Sequence, residues 1–180
     1  MEDASKQTPG DLSVERQLGP ANRTLMVLVS ADLDSLERKG VSHMLDSRDE
    51  GGFFERVVTV HPFANTERRI GRSRNHVIVE FHPASQRILK GLLRCRPLYR
   101  SLAGLHAVRK TRALVRQIEP SILRASDPYE GALVGWLATV GTRTAFVISI
   151  HADWPKRLRL DPSATRPLFK SRYITNWISA

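Results

Sequence analysis

Cysteine is almost absent: the chain of 180 residues holds one, Cys95. That excludes an internal disulfide framework and any zinc site built on clustered cysteines, and Cys95, in a basic stretch with no partner residue nearby, reads as a buried or incidental thiol. No run approaches the roughly 18 apolar residues that a membrane-spanning helix needs. The N-terminus is acidic and polar, so no signal peptide is expected and a cytoplasmic chain is the expectation. G-x-x-x-x-G-K-[ST] is missing, which excludes a Walker-type ATP site. G-x-G-x-x-G is missing after the first apolar run, and with it the dinucleotide fingerprint. His151-Ala152-Asp153 alone is too little for a metal site, so no metal is expected.

What is present is a globular composition. Hydrophobic residues make up 41% and charged residues 26%, enough for one domain with a real core. The net charge of +10 is unevenly spread. Residues 1–55 carry a net of −5, and residues 56–180 a net of +15. A surface this basic favours phosphates, nucleic acid or anionic lipid headgroups, unless its helix faces are merely solvated.

Residues 1–22 lack apolar periodicity and read as a disordered tail, leaving 23–180 as the domain. Thr24–Ser30 is a continuous apolar run, expected for a strand buried on both faces. Ala31–Gly40 reads as a polar, acidic loop. Arg56–His61 and His76–Phe81 read as strands closed by Pro62 and Pro83. Phe63–Arg74 between them reads as a basic loop. Ser85–Ile118 is helical territory broken by Pro97. From Leu98 its apolar stripe runs through positions 98, 102, 105, 108, 115 and 118, with Arg109, Arg112 and Arg116 opposite. Glu119-Pro120 ends it.

The next unit has the clearest signals. Ser121–Ala125 is a short strand. Asp127 has N-cap chemistry, Pro128 suits a first helical position, and Glu130 completes a capping box. Tyr129–Val140 is apolar on most faces and should be a buried helix, stopped by Gly141. Thr144–Ile150 is another buried strand. Strand, helix, strand at this spacing is a right-handed crossover that sets the two strands parallel. The expected architecture is α/β: a Rossmann-like, open, mostly parallel sheet with helices on both faces. Beyond His151 the order fades, with Tyr173–Ile178 a possible helix start.

Ligands of such sheets bind outside the carboxyl ends of the strands. Two polar clusters fall there: Arg124-Ala125-Ser126-Asp127-Pro128, and His151-Ala152-Asp153-Trp154. A helix start offers free N–H groups to an anion or a sugar hydroxyl. His151 can donate or accept near neutral pH. Asp153 could accept from a hydroxyl or orient the histidine, and Trp154 could stack on a sugar ring. Each has a plainer reading. Asp127 is explained as a helix cap, His151 as a backbone-bonded residue, Asp153 as a turn former, Trp154 as a lid on the core and Arg124 as half of an ion pair. His61 and His82 read as turn residues, Lys39-Gly40 and Arg68–Arg74 as solvated loops.

Four segments together resemble the N-terminal domain of retaining glycosyltransferases of family 4, which have the GT-B fold. They are Glu37-Arg38-Lys39-Gly40 after the first strand; Phe53-Phe54-Glu55-Arg56-Val57-Val58 into the second; Glu119–Ala125, similar to the family's "kPDvirA" strand; and Thr144–Asp153 with Trp154, similar to "pyvvsiHgDyd". The match spans about residues 24–155. The resemblance implies transfer of a sugar from a nucleotide-sugar donor to a glycan or lipid-linked acceptor, with no metal. His151 would contact the donor sugar and Asp153 would be the acidic residue of that loop, the two catalytic candidates. Lys39 and Gly40 would line the cleft, and Arg124, Ser126, Asp127, Tyr129 and Trp154 would bind substrate. The middle residue of the His-Ala-Asp loop is glycine in the pattern. The family's C-terminal, donor-binding domain has no counterpart here, so a further domain or partner subunit is implied, and the last strand of the domain is expected to be missing. Such an unfinished sheet leaves an open edge and exposed apolar surface. Two other readings stand beside this one: a non-enzymatic basic module for nucleic acid or anionic membrane, and an inactive truncated product. Nucleic acid is disfavoured because the basic residues are not interleaved with stacking aromatics; peripheral membrane contact fits the charge.

Overall fold

The computed structural model describes residues 23–49, 52–82 and 96–149. The proposed tail, Cys95, and everything from Ile150 onward, including His151, Asp153, Trp154 and the Tyr173–Ile178 segment, lie outside the described residues.

Among the described residues six strands form one sheet: β1 (Thr24–Leu28), β2 (Arg56–His61), β3 (Arg68–Gly71), β4 (His76–Glu80), β5 (Ile122–Ala125) and β6 (Ala145–Ile148). Their spatial order is β3-β4-β2-β1-β5-β6. All neighbours pair in parallel except β3 with β4. The expected α/β class with a mostly parallel sheet is therefore present, and the crossover between β5 and β6 makes them parallel neighbours. β1, β2 and β4 are buried at every position, which is why their sequences are apolar on both faces rather than alternating, with the polar residues of β2 and β4 mostly at the strand ends.

Two layers cover the sheet. On one face, Met26, Leu28, Val58, Val60, Val77, Val79 and Leu123 pack under α2 (Arg96–Ile118) and α3 (Glu130–Thr139). On the other, Leu25, Val27, Val29 and Ile78 meet α1 (Leu33–Arg38) and the 3₁₀ segment Ser42–Asp49.

Several expectations are corrected. The segment 31–40 is not a loop: Asp32 turns it into α1 by accepting the Ser35 amide at 2.9 Å. Within the basic segment 63–74, residues 68–71 form the antiparallel edge strand β3, whose alternate half-buried and exposed positions carry too few apolar residues to signal a strand. In α2 the buried stripe is Ala103, Ala107, Thr111, Leu114, Val115 and Ile118, while Leu102 and Leu105 face outward. Small side chains let the helix lie close to the sheet, so the alanine stripe wins over the larger leucines. α3 begins at Glu130 with Tyr129 at the N-cap position, so Asp127 and Pro128 lie in the turn before the helix instead of at its N-cap and first position, and the helix is not buried all round, since Leu133 and Trp136 are exposed. β6 is largely exposed instead of buried, because it is the edge strand. Helix ends follow the expected residues: Glu119, in the left-handed region at φ 49°, and Pro120 close α2, and Gly141 at φ 73° follows α3.

Candidate functional site

The chain leaves β4 through α2 and re-enters the sheet at β5, on the far side of β1. β1 therefore has β2 on one side and β5 on the other, and the connections diverge between β1 and β5. At such a switch point the loops leaving the carboxyl ends part, and a crevice opens.

Two loops meet there. Ser126 N–H donates to the Leu28 carbonyl at 3.0 Å, which brings the end of β5 level with the end of β1. Asp127 then joins them. Its Oδ2 accepts the Ser30 hydroxyl at 2.5 Å, while its Oδ1 accepts the amides of Tyr129 at 3.1 Å and Gly131 at 3.0 Å. One carboxylate thus caps the first turn of α3 and ties it to β1. A side chain at position 131 would overlap that carboxylate, so glycine is required by space, not by φ. Gly135, one turn on, lies against Phe146, Leu123 and Leu28, and fixes how closely α3 sits on the sheet.

Around this tie, Ser126 Oγ and Arg124 Nε are buried without a hydrogen-bond partner. Tyr129 is buried, and that burial, with the Asp127 charge beside it, pushes its phenol above the ordinary value. Ser149 N–H donates to the Ala125 carbonyl at 2.9 Å, so β6 ends level with β5, two residues before His151.

Of the sequence-derived candidates, the structure gathers Arg124, Ser126, Asp127 and Tyr129. Lys39 and Gly40 are not among them. They form the exposed turn that ends α1, with Gly40 at φ 66°. From there the chain runs to Ser42, whose carbonyl accepts from Arg72, next to the amino end of β4.

Sequence reading missed Ser30, Asp32, His61 and Glu80, each at or just past the carboxyl end of a parallel strand. His61 is fully buried and hydrogen-bonds the Ala31 carbonyl through Nδ1. A carbonyl only accepts, so Nδ1 carries the proton and Nε2, which has no partner, is a bare acceptor. Burial lowers the His61 pKa below the ordinary 6.5, against the opposing pull of the Ala31 carbonyl and of Glu80. Glu80 accepts the Leu33 amide at 2.8 Å and the Thr66 hydroxyl at 3.1 Å, and it pairs with Arg68. Burial raises the Asp32 carboxyl, but hydrogen bonds from the Ser35 side chain and amide, with Arg38 and His61 nearby, bring it below its ordinary value. Asn65 donates to the other Asp32 oxygen at 2.7 Å. These bonds tie together the loops that follow β1, β2 and β4. Among the described residues, no group of three or more His, Cys, Asp or Glu side chains could hold a metal ion.

No family model matches the chain, and no curated protein or solved structure matches it.

Proposed function

We propose that the chain supplies the acceptor-side half of a sugar-transfer cleft, as the N-terminal part of a GT-B, family 4-type retaining glycosyltransferase whose nucleotide-sugar donor is held by another domain or subunit. The observation that carries this reading is the chemistry at the β1/β5 switch point. A free helix start there would suit a phosphate. Here the Asp127 carboxylate already occupies the amides of Tyr129 and Gly131 at the start of α3, and its charge repels an anion. The groups beside it are neutral hydroxyls, Ser30, which donates to that carboxylate, and Ser126, whose Oγ is buried, a set whose oxygens suit a polyhydroxyl ligand better than a phosphate. In this reading Ser30 and the Asp127 carboxylate meet sugar hydroxyls, Ser126 and Tyr129 pack beside them, and His151 and Asp153, next in sequence after β6, act on the donor sugar.

The test is an NMR titration of the isotope-labelled chain with neutral glycans, lipid-linked sugars and nucleotide sugars. Amide shifts at Ser126, Tyr129 and Gly131 are expected with an acceptor. Unchanged spectra across the acceptor panel refute the reading. In the enzyme completed by its donor-binding part, His151→Ala should abolish transfer while preserving the fold; an unimpaired variant removes that role.

A further inference from the structure

The outer surface of the α2–α3 layer breaks the rule that an outward helix stripe is polar. On α3, Leu133, Trp136, Leu137 and Val140 follow the i, i+3, i+4, i+7 spacing of a single face. Leu133 is 48% exposed, Trp136 55% and Val140 47%. The opposite face of the helix is the one that packs on the sheet, through Val134, Gly135 and Ala138. α2 lies alongside: Arg112 Nη1 donates to the Leu137 carbonyl at 2.9 Å. Its own outward positions add Leu105, which is 65% exposed, and then Arg109 and Arg116. Arg143, exposed just past α3, extends the basic rim. α2 contains no acidic residue, and the one acid of α3, Glu130, is buried.

We propose that this face docks peripherally on an anionic lipid surface, with Leu105, Leu133, Trp136 and Val140 entering the headgroup–acyl boundary and Arg109, Arg116 and Arg143 meeting the headgroups. The combination of exposed aliphatic and indole side chains with arginines, on two helices that carry no exposed carboxylate of their own, is what such an interface recognises. A nucleic acid would meet the arginines but gain nothing from leucine and valine, which neither stack on bases nor bond to them. A second copy would bring the arginines of both copies together. Among the described residues no helix is long and apolar enough to cross a membrane, so the contact is a surface one.

Co-sedimentation of the full chain with vesicles tests this without any sugar-transfer assay. The chain should pellet with equimolar phosphatidylcholine–phosphatidylglycerol vesicles and not with phosphatidylcholine alone, and binding should weaken as salt rises. At about 1 kcal/mol per arginine near an anionic surface, or roughly fivefold each, the triple variant Arg109→Gln, Arg116→Gln, Arg143→Gln should lose on the order of 100-fold in partitioning. Leu105→Gln with Leu133→Gln, both at exposed sites, should lose at least about tenfold with unchanged circular dichroism. The proposal is overturned by equal binding to neutral vesicles or by no vesicle binding. It is equally overturned by full retention in either variant, by a dimer that Leu133→Gln dissociates in place of vesicle binding, or by salt-sensitive binding to duplex nucleic acid alone.

Discussion

Asp127 is the residue on which fold and site converge, and replacing it separates its two bonds. Asp127→Ala removes the acceptor for the amides of Tyr129 and Gly131, and the acceptor for the Ser30 hydroxyl. Loss of a helix cap costs about 1 kcal/mol. Loss of a hydrogen bond to a charged group costs about 1.5–3 kcal/mol, taken here at the low end because Asp127 is only part-buried and water can replace part of it. The expected total is about 2–3 kcal/mol, which lowers Tm by roughly 4–12 °C in a chain of this size. Asp127→Asn keeps an oxygen for the helix amides and forfeits the charge–dipole contribution, so it should cost about 1 kcal/mol or less. Ser30→Ala alone should cost about 1 kcal/mol, and the cycle with Asp127→Ala should show coupling of at least about 0.5 kcal/mol. Urea denaturation of the parent, the three single variants and the double variant measures these numbers. If Asp127→Ala unfolds within about 0.5 kcal/mol of the parent, the tie between β1 and α3 contributes nothing and the argument built on it fails.

Two further outcomes follow from close packing and from burial. Gly135→Ala places a methyl 2.6 Å from the Phe146 ring and 2.9 Å from Leu123; overpacking of this kind should cost about 1–3 kcal/mol, read as a lower urea midpoint at unchanged slope. His61 is held neutral, with its pKa depressed, so the unfolded chain binds the proton more readily. Its contribution is fully present above the ordinary value of 6.5 and is lost as pH falls through 6.5 towards the depressed folded value. His106 is depressed in the same sense, by burial and then by Lys110, so the comparison is best made in a His106→Gln background. There, Tm should fall on acidification with His61 present and stay flatter in His61→Phe; identical slopes refute the assignment.

The sequence made the parallel core readable. Runs such as Thr24–Leu28 and Arg56–Val60 are mainly apolar and do not alternate because both faces are covered, as in a parallel sheet under two helical layers. The Asp127–Gly141 unit was readable because caps and stops act locally: a carboxylate accepting from an amide four residues on, a glycine at positive φ. β3 was not readable, since an edge strand of Arg, Arg, Ile and Gly needs a neighbour to define it. The α2 stripe misled because leucine looks more buried than alanine until a helix must approach a sheet closely.

The residues of the candidate site divide in the same way. Asp127 was legible as a cap from its own neighbours, whereas its bond to Ser30 spans 97 residues and exists only because β1 and β5 are adjacent. His61 and Glu80, which read as a turn residue and as part of a strand, share a register only because β2 pairs with β4. Composition and local chemistry by themselves determined the fold class, the helix ends and the basic charge. Which polar groups share a crevice, and which apolar faces stay exposed, was decided by strand order and packing, because those depend on contacts between segments far apart in the chain.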